Sequence, residues 1–140
     1  MSSEELRQAL EQLDLSSLPL IKVINTNKYG VVTEYEEDHF GRKQGRLTEK
    51  NHKGNLSSEA FYKDDQLHGT QTFYNYNGTI RERINYIDGI NNGIYEKFYD
   101  SGSPKKRMTY VSGKITGRIQ TWREDGSVEE DWYYPMEFPF

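Results

Sequence analysis

Three histidines, His39, His52 and His68, and two acidic runs are the residues of this 140-residue chain whose types suit catalysis or metal binding. Histidine acts as general base, proton shuttle or metal ligand near neutral pH. Glu34, Glu36, Glu37 and Asp38 make one acidic run, and Glu124, Asp125, Glu129, Glu130 and Asp131 make the other. Neither has the alternating oxygen ligands and central glycine of an EF-hand loop. The chain has no cysteine, which excludes a disulfide framework, a thiolate metal site and a cysteine nucleophile. No phosphate-cradling loop and no nucleophile–base pair is legible, so the expectation is a non-enzymatic protein without cofactor or metal. The cations offer a different chemistry. Lys105, Lys106 and Arg107 follow Arg81 and Arg83 at about one repeat's distance, and such a cluster suits phosphate or lipid headgroups. A net charge of −4 argues against nucleic acid as the partner.

The elements that position these residues are announced by glycine. Gly30, Gly54, Gly78, Gly102 and Gly126 stand 24 residues apart, as do Gly45, Gly69, Gly93 and Gly117. Gly41, Gly89 and Gly113 form a third row in which Asp65 fills the gap, and no glycine is left over. A fixed period of this size marks an array of one supersecondary unit. The chain divides into a leader, 1–20, and five units near 21–44, 45–68, 69–92, 93–116 and 117–140. The histidines occupy different columns of this lattice, so they build no repeated ligand geometry and read as loop residues.

Asn77-Gly78, Asp88-Gly89 and Asp125-Gly126 are dipeptides of two-residue type I′ hairpin turns, whose central residues need positive φ. Segments rich in Tyr, Ile, Thr and Phe lie between them at strand length. Each unit is therefore one β-hairpin. The fold class is all-β: a twisted antiparallel meander of at most ten strands, with a short N-terminal helix. With two-residue loops, Gln71 faces Ile84, Tyr95 faces Met108, Ile119 faces Trp132, Tyr86 faces Asn91 and Tyr110 faces Ile115. Alternation places these on one apolar face, together with Leu47, Ala60, Tyr62 and Tyr134. The opposite face is charged and carries one aromatic stripe, Tyr74, Phe98 and Trp122. Their expected cross-strand partners are Arg81, Lys105 and Glu129, the first two in cation–π contact.

A one-layer sheet with an apolar face needs a cover. Ser2 with Glu5 fits a capping box, and Leu6, Leu10 and Leu13 recur at helical spacing. A helix over 3–13 would be roughly 16 Å long. Ten strands span about 45 Å. The helix covers a third of the array at most, and the tail after Pro135 offers a second lid over the far end. The middle units keep an open aromatic groove. The acidic runs at the two ends of the array read as charges that keep exposed edges from pairing.

Gly93, Phe98, Gly102, Tyr110, Gly113 and Gly117 carry a pattern that Gly69, Tyr74, Gly78, Tyr86, Gly89 and Gly93 repeat. Over about residues 45–134 the pattern resembles MORN repeats, in the variant form of bacterial antitoxin components of toxin–antitoxin systems. Unit two departs from it, with Lys50 at the aromatic position and Asp65 for glycine. The resemblance implies a binding or scaffolding module, antitoxin- or immunity-like, that neutralises a partner protein by occupying its surface. Tyr74, Phe98, Trp122, Arg81, Arg83, Lys105 and Arg107 are the expected contact residues. The alternative expectation is a scaffold apposed to anionic lipid through the basic central units. Homo-oligomerisation through the open face or an edge strand is compatible with either. No apolar run reaches the length of a membrane span and the N-terminus lacks a signal-peptide core, so the expected location is cytoplasmic. The sequons at Asn55 and Asn77 are then accidental.

Overall fold

The computed structural model describes residues 1–134. After helix α1 (Ser3–Glu11) and a 3-10 turn (Leu15–Ser17), the described residues form strands joined by short turns. The strands are β1 (Ile21–Thr26), β2 (Val32–Glu37), β3 (Lys43–Lys50), β4 (Leu56–Lys63), β5 (Gln66–Leu67), β6 (Gly69–Tyr74), β7 (Ile80–Ile87), β8 (Ile90–Asn91), β9 (Gly93–Phe98), β10 (Pro104–Val111), β11 (Lys114–Trp122) and β12 (Val128–Tyr134). They form one antiparallel sheet in the order β1-β2-β3-β4-β6-β7-β9-β10-β11-β12. Short β5 and β8 pair with β4 and β7, so β5–β6 and β8–β9 each act as one strand interrupted at His68 and Asn92. Ten positions in sequence order are the expected meander of hairpins.

The mid-strand register follows the expected alternation. Gln71 pairs with Ile84, Tyr95 with Met108, Ile119 with Trp132, Tyr86 with Asn91 and Tyr110 with Ile115. Directly paired residues share a face, so one transverse row runs Leu47, Ala60, Gln71, Ile84, Tyr95, Met108, Ile119, Trp132. The sheet's buried apolar residues, Leu47, Ala60, Met108 and Ile119, all lie in this row. The core is thus a stripe along one layer.

The strand ends depart from the expectation, and the turns explain why. Asp88-Gly89 is a two-residue I′ turn, with φ of 48° and 79°. At Asn77-Gly78 only the glycine has positive φ, 86°. There Gly78 N–H donates to Asn75 C=O at 3.0 Å and Asn75 N–H to Thr79 C=O at 2.8 Å. This is the three-residue loop in which a type I turn leads into a left-handed glycine at a bulge. Asp125-Gly126 closes in the same way, with Gly126 N–H bonded to Arg123 C=O. The bulges slip the register by one residue beside each such turn. Tyr74 therefore pairs with Ile80, Phe98 with Pro104 and Trp122 with Val128, instead of Arg81, Lys105 and Glu129.

The expected lid also fails. Ser2 Oγ caps α1 by accepting from Glu5 N–H at 3.1 Å, but no residue of the helix is buried. Leu10 is 61% exposed, and Leu6 and Leu13 are exposed with it. An amphipathic stripe sets a helix's preference for an apolar surface, but the direction of the connecting segment decides whether it reaches one. The second candidate lid, Met136–Phe140, lies outside the described residues.

Candidate binding surface

The two faces of the sheet differ in how their charges are balanced. The polar face carries the row Glu34, Thr48, Glu59, Thr72, Arg83, Glu96, Arg107, Gln120, Asp131, each paired with the next across adjacent strands. Its cations are mostly matched. Lys22 Nζ lies 2.6 Å from Glu34, Arg46 Nε donates to Glu59 at 2.6 Å, Arg83 pairs with Glu96 at 3.0 Å and Arg118 Nε donates to Asp131 at 2.7 Å. Such exposed pairs add little stability, but they leave the face close to neutral.

The apolar face is bounded toward the bulged turns by another row: Ser58, Phe73, Glu82, Lys97, Lys106, Thr121, Glu130. Lys97 and Lys106 are direct cross-strand partners. Like charges in that position repel. Neither forms an ion pair with a carboxylate of the described residues. Glu82, which faces Lys97 from the other side, acts instead on Tyr95. Burial, with the neighbouring Glu82 carboxylate, pushes the Tyr95 hydroxyl up to about 12. Beyond this row lies the belt of Ile84, Tyr95, Met108 and Ile119, widened by Tyr62, Tyr86 and Tyr110. Tyr95 and Tyr110 meet edge to face at 6.4 Å, and burial raises the Tyr86 hydroxyl as well. Trp132, 43% exposed, ends the belt at β12.

Of the expected contact residues, Arg83 and Arg107 share the polar row on the aromatic stripe's face, and Arg81, Phe98 and Lys105 line one cleft. Tyr74, Phe98 and Trp122 stay half-buried on the polar face. The cations lie against other rings than those expected. The Arg83 guanidinium lies 5.3 Å from the Phe98 ring centre, Arg81 lies 5.5 Å from Phe73, and Lys105 Nζ lies 5.3 Å from Tyr99. Trp122 meets Tyr99 through its backbone, whose carbonyl accepts the Tyr99 hydroxyl at 2.6 Å. Arg107 is exposed between Glu96 and Gln120. Alternation divides the run Lys105-Lys106-Arg107, placing Lys106 on the apolar side and Arg107 on the polar side. The expected contact set, which held Lys105 and Arg107, left out Lys106. It also missed Lys97, although continuing the Tyr95–Met108 register outward by two residues sets Lys97 against Lys106.

Two open clefts sit at the bulged-turn end. One, of about 570 Å³, is lined by Arg81, Lys97, Phe98, Tyr99 and Lys105 among others. The second, of about 320 Å³, takes Phe73, Tyr74, Tyr76 and Arg81 as walls over Asn51 and Asn75. The histidines are scattered. His39 Nε2 is 3.0 Å from Pro19 C=O, and His68 Nδ1 accepts from Asp88 N–H at 3.2 Å. Among the described residues no cluster of three or more His, Asp or Glu side chains is placed to hold a metal ion. No described helix is long and apolar enough to cross a membrane.

Fold and surface define a class, a one-layer array of β-hairpin repeats whose apolar face is crossed by a buried stripe. Within it, residues 67–88 and 91–112 match the MORN repeat variant family, two adjacent repeats offset by the period of the glycine lattice. No curated protein matches the chain. Among solved structures, accessory secretory protein 1, 2 and 3 of Streptococcus pneumoniae aligns at 16% identity and a TM-score of 0.41. That alignment covers 78% of this chain and 21% of the other. A GtfA/B complex bound to UDP and GlcNAc aligns at 12% identity and a TM-score of 0.28, over 86% of this chain and 26% of the other. The chain thus spans about a fifth to a quarter of the length of these structures.

Proposed function

We propose that the chain is a non-enzymatic protein-binding module that holds a partner against its apolar face. The observation that carries this reading is the exposed end of the apolar stripe, where Trp132 and Tyr134, each 43% exposed, stand beside half-buried Tyr95 and Tyr110 and where α1 does not fold over them. Exposed aromatic residues at the margin of an apolar stripe suit an interaction site, since aromatic residues are what interface centres enrich. The narrower form of the reading is antitoxin- or immunity-like neutralisation of the partner by surface occupation. It draws on the resemblance of the repeats to the MORN variant of bacterial antitoxin components. A lipid-apposed scaffold draws less support, because the basic residues are divided between two faces and the chain is net acidic.

The test is co-expression with the product of the adjacent gene. A stable complex that Trp132→Ala weakens is the expected result. If deleting the gene leaves its neighbour harmless, the neutralisation reading fails. If the complex forms equally well with Trp132→Ala and Tyr95→Ser, the belt is not the contact surface.

A further inference from the structure

We infer that the partner segment which docks along the margin of the belt, beside half-buried Tyr95 and toward exposed Trp132, is acidic, and that the Lys97–Lys106 pair receives its carboxylates. The inference rests on the protein-binding reading and adds the chemistry of the occupant. Two lysines paired directly across β9 and β10, neither in an ion pair with a carboxylate of the described residues, are an unfavourable arrangement in the isolated chain. The polar face shows that the fold can match its charges, at Arg46–Glu59, Arg83–Glu96 and Arg118–Asp131. Beside the belt it does not. Glu82 faces Lys97 across β7 and β9 without forming an ion pair with it. A carboxylate arriving between Lys97 and Lys106 relieves the repulsion and makes charge-assisted hydrogen bonds to both.

The pair borders the belt directly, since Lys97 and Lys106 are two residues along their strands from Tyr95 and Met108. An occupant that fits both features carries apolar side chains on one side and Asp or Glu at its margin. An extended segment with alternating residues does so at period two. An anionic membrane fits less well. Glu82 and Glu130 stand in the same row as the two lysines, and the net charge of −4 repels a uniformly negative surface.

The experiment titrates the full chain with a synthetic peptide of alternating Leu and Glu, following backbone amide shifts by NMR. The Leu–Lys counterpart and phosphatidylserine vesicles serve as comparison probes. The expected result is salt-sensitive shifts at Lys97, Lys106 and the belt with the Leu–Glu peptide only. Lys106→Glu weakens that binding about tenfold, the scale of one lost charge-assisted contact. Lys53→Glu and Lys114→Glu leave it unchanged. A thermal melt guards against misfolding, because Lys106→Glu places opposite charges across the strands and raises the midpoint. Loss of binding by a variant that melts higher is a signature that a structural role cannot produce. Binding that ignores Lys106→Glu, equal binding of the Leu–Lys peptide, or binding of vesicles alone overturns the inference. If Lys106→Glu has no effect while Trp132→Ala still abolishes binding, the protein-binding reading survives and only the acidic occupant falls. If neither substitution matters, both fall.

Discussion

The two ends of the hairpins are built differently. At the end closed by the two-residue turns, each turn is bonded to the unit before it through the backbone. Asp65 N–H donates to Lys43 C=O, Gly89 N–H to Leu67 C=O and Gly113 N–H to Asn91 C=O, at 3.0, 2.8 and 2.8 Å. Side chains repeat the link, as where Ser112 N–H donates to Asn92 Oδ1 at 3.0 Å. At the bulged-turn end the links are occasional and specific to one site. Asn77 Nδ2 and Thr79 Oγ1 both donate to Asp100 C=O, and Tyr99 Oη donates to Trp122 C=O. The first end is a spine, uniform over its three two-residue turns. The second is free to vary, and there the cations, the exposed Tyr76 and both central clefts are found. Rigid scaffold and variable loops divide the work of folding and binding in this way.

Glycine substitution tests the contrast most strongly. Gly93, at the spine, has φ of 109°, and an added Cβ would sit 3.1 Å from Asn85 Cβ. Gly78, at the other end, has φ of 86° and open space around it. Gly93→Ala is expected to cost about 2–3 kcal/mol, strain plus contact. Gly78→Ala is expected to cost about 1 kcal/mol. Equal losses in urea unfolding would show that the ends do not differ. Asn92→Ala comes next and should lose about 1 kcal/mol by orphaning Ser112 N–H. Tyr99→Phe should lose about 0.5–1 kcal/mol, since it removes one hydrogen bond at the looser end.

Asp38 sharpens the comparison because its turn, alone at the spine end, is of the bulged kind. Burial opposes its charge, but it accepts from the backbone of Arg42 and Phe40 and from the side chains of Gln44 and Arg42. Together these hold the carboxyl at about 2, below its ordinary 3.8. A depressed carboxyl adds stability above the unfolded value, and that stability fades as pH falls from 3.8 through about 2. Asp38→Asn should therefore flatten the acid limb of a pH–melting curve over that window. An unchanged limb would mean that the network does not hold the turn. The smallest effect is a gain. Lys106→Glu should stabilise the free chain by about 0.2–1 kcal/mol through its new partner Lys97.

Legibility from the sequence follows the same division. Alternation places Tyr95 against Met108 and Ile119 against Trp132 because mid-strand pairing depends only on the period of two and on loop length modulo the bulge. The strand ends were illegible because Asn-Gly and Asp-Gly serve both turn kinds. In each, glycine takes the left-handed position, and only the residue before it differs: Asp88 has φ of 48°, whereas Asn77 is not left-handed. One residue of slip then moved Arg81, Lys105 and Glu129 away from Tyr74, Phe98 and Trp122. The surface suffered more than the fold, since a charge run such as Lys105-Lys106-Arg107 has meaning only after each member is assigned a face. Helix α1 was legible as a helix from Ser2, Leu6, Leu10 and Leu13, whereas its position depends on the segment 12–20, which has no periodic signal.

The backbone links at the spine have a consequence for length. Each unit leans on the one before it through the same bond, so the array grows or shrinks in whole steps. Two strands at about 4.8 Å set that step near 10 Å. The molecule is in this respect a ruler. Inserting one unit between residues 92 and 93 would carry the acidic edge at β12 one graduation further from β1 and leave the pairing within each hairpin as it was.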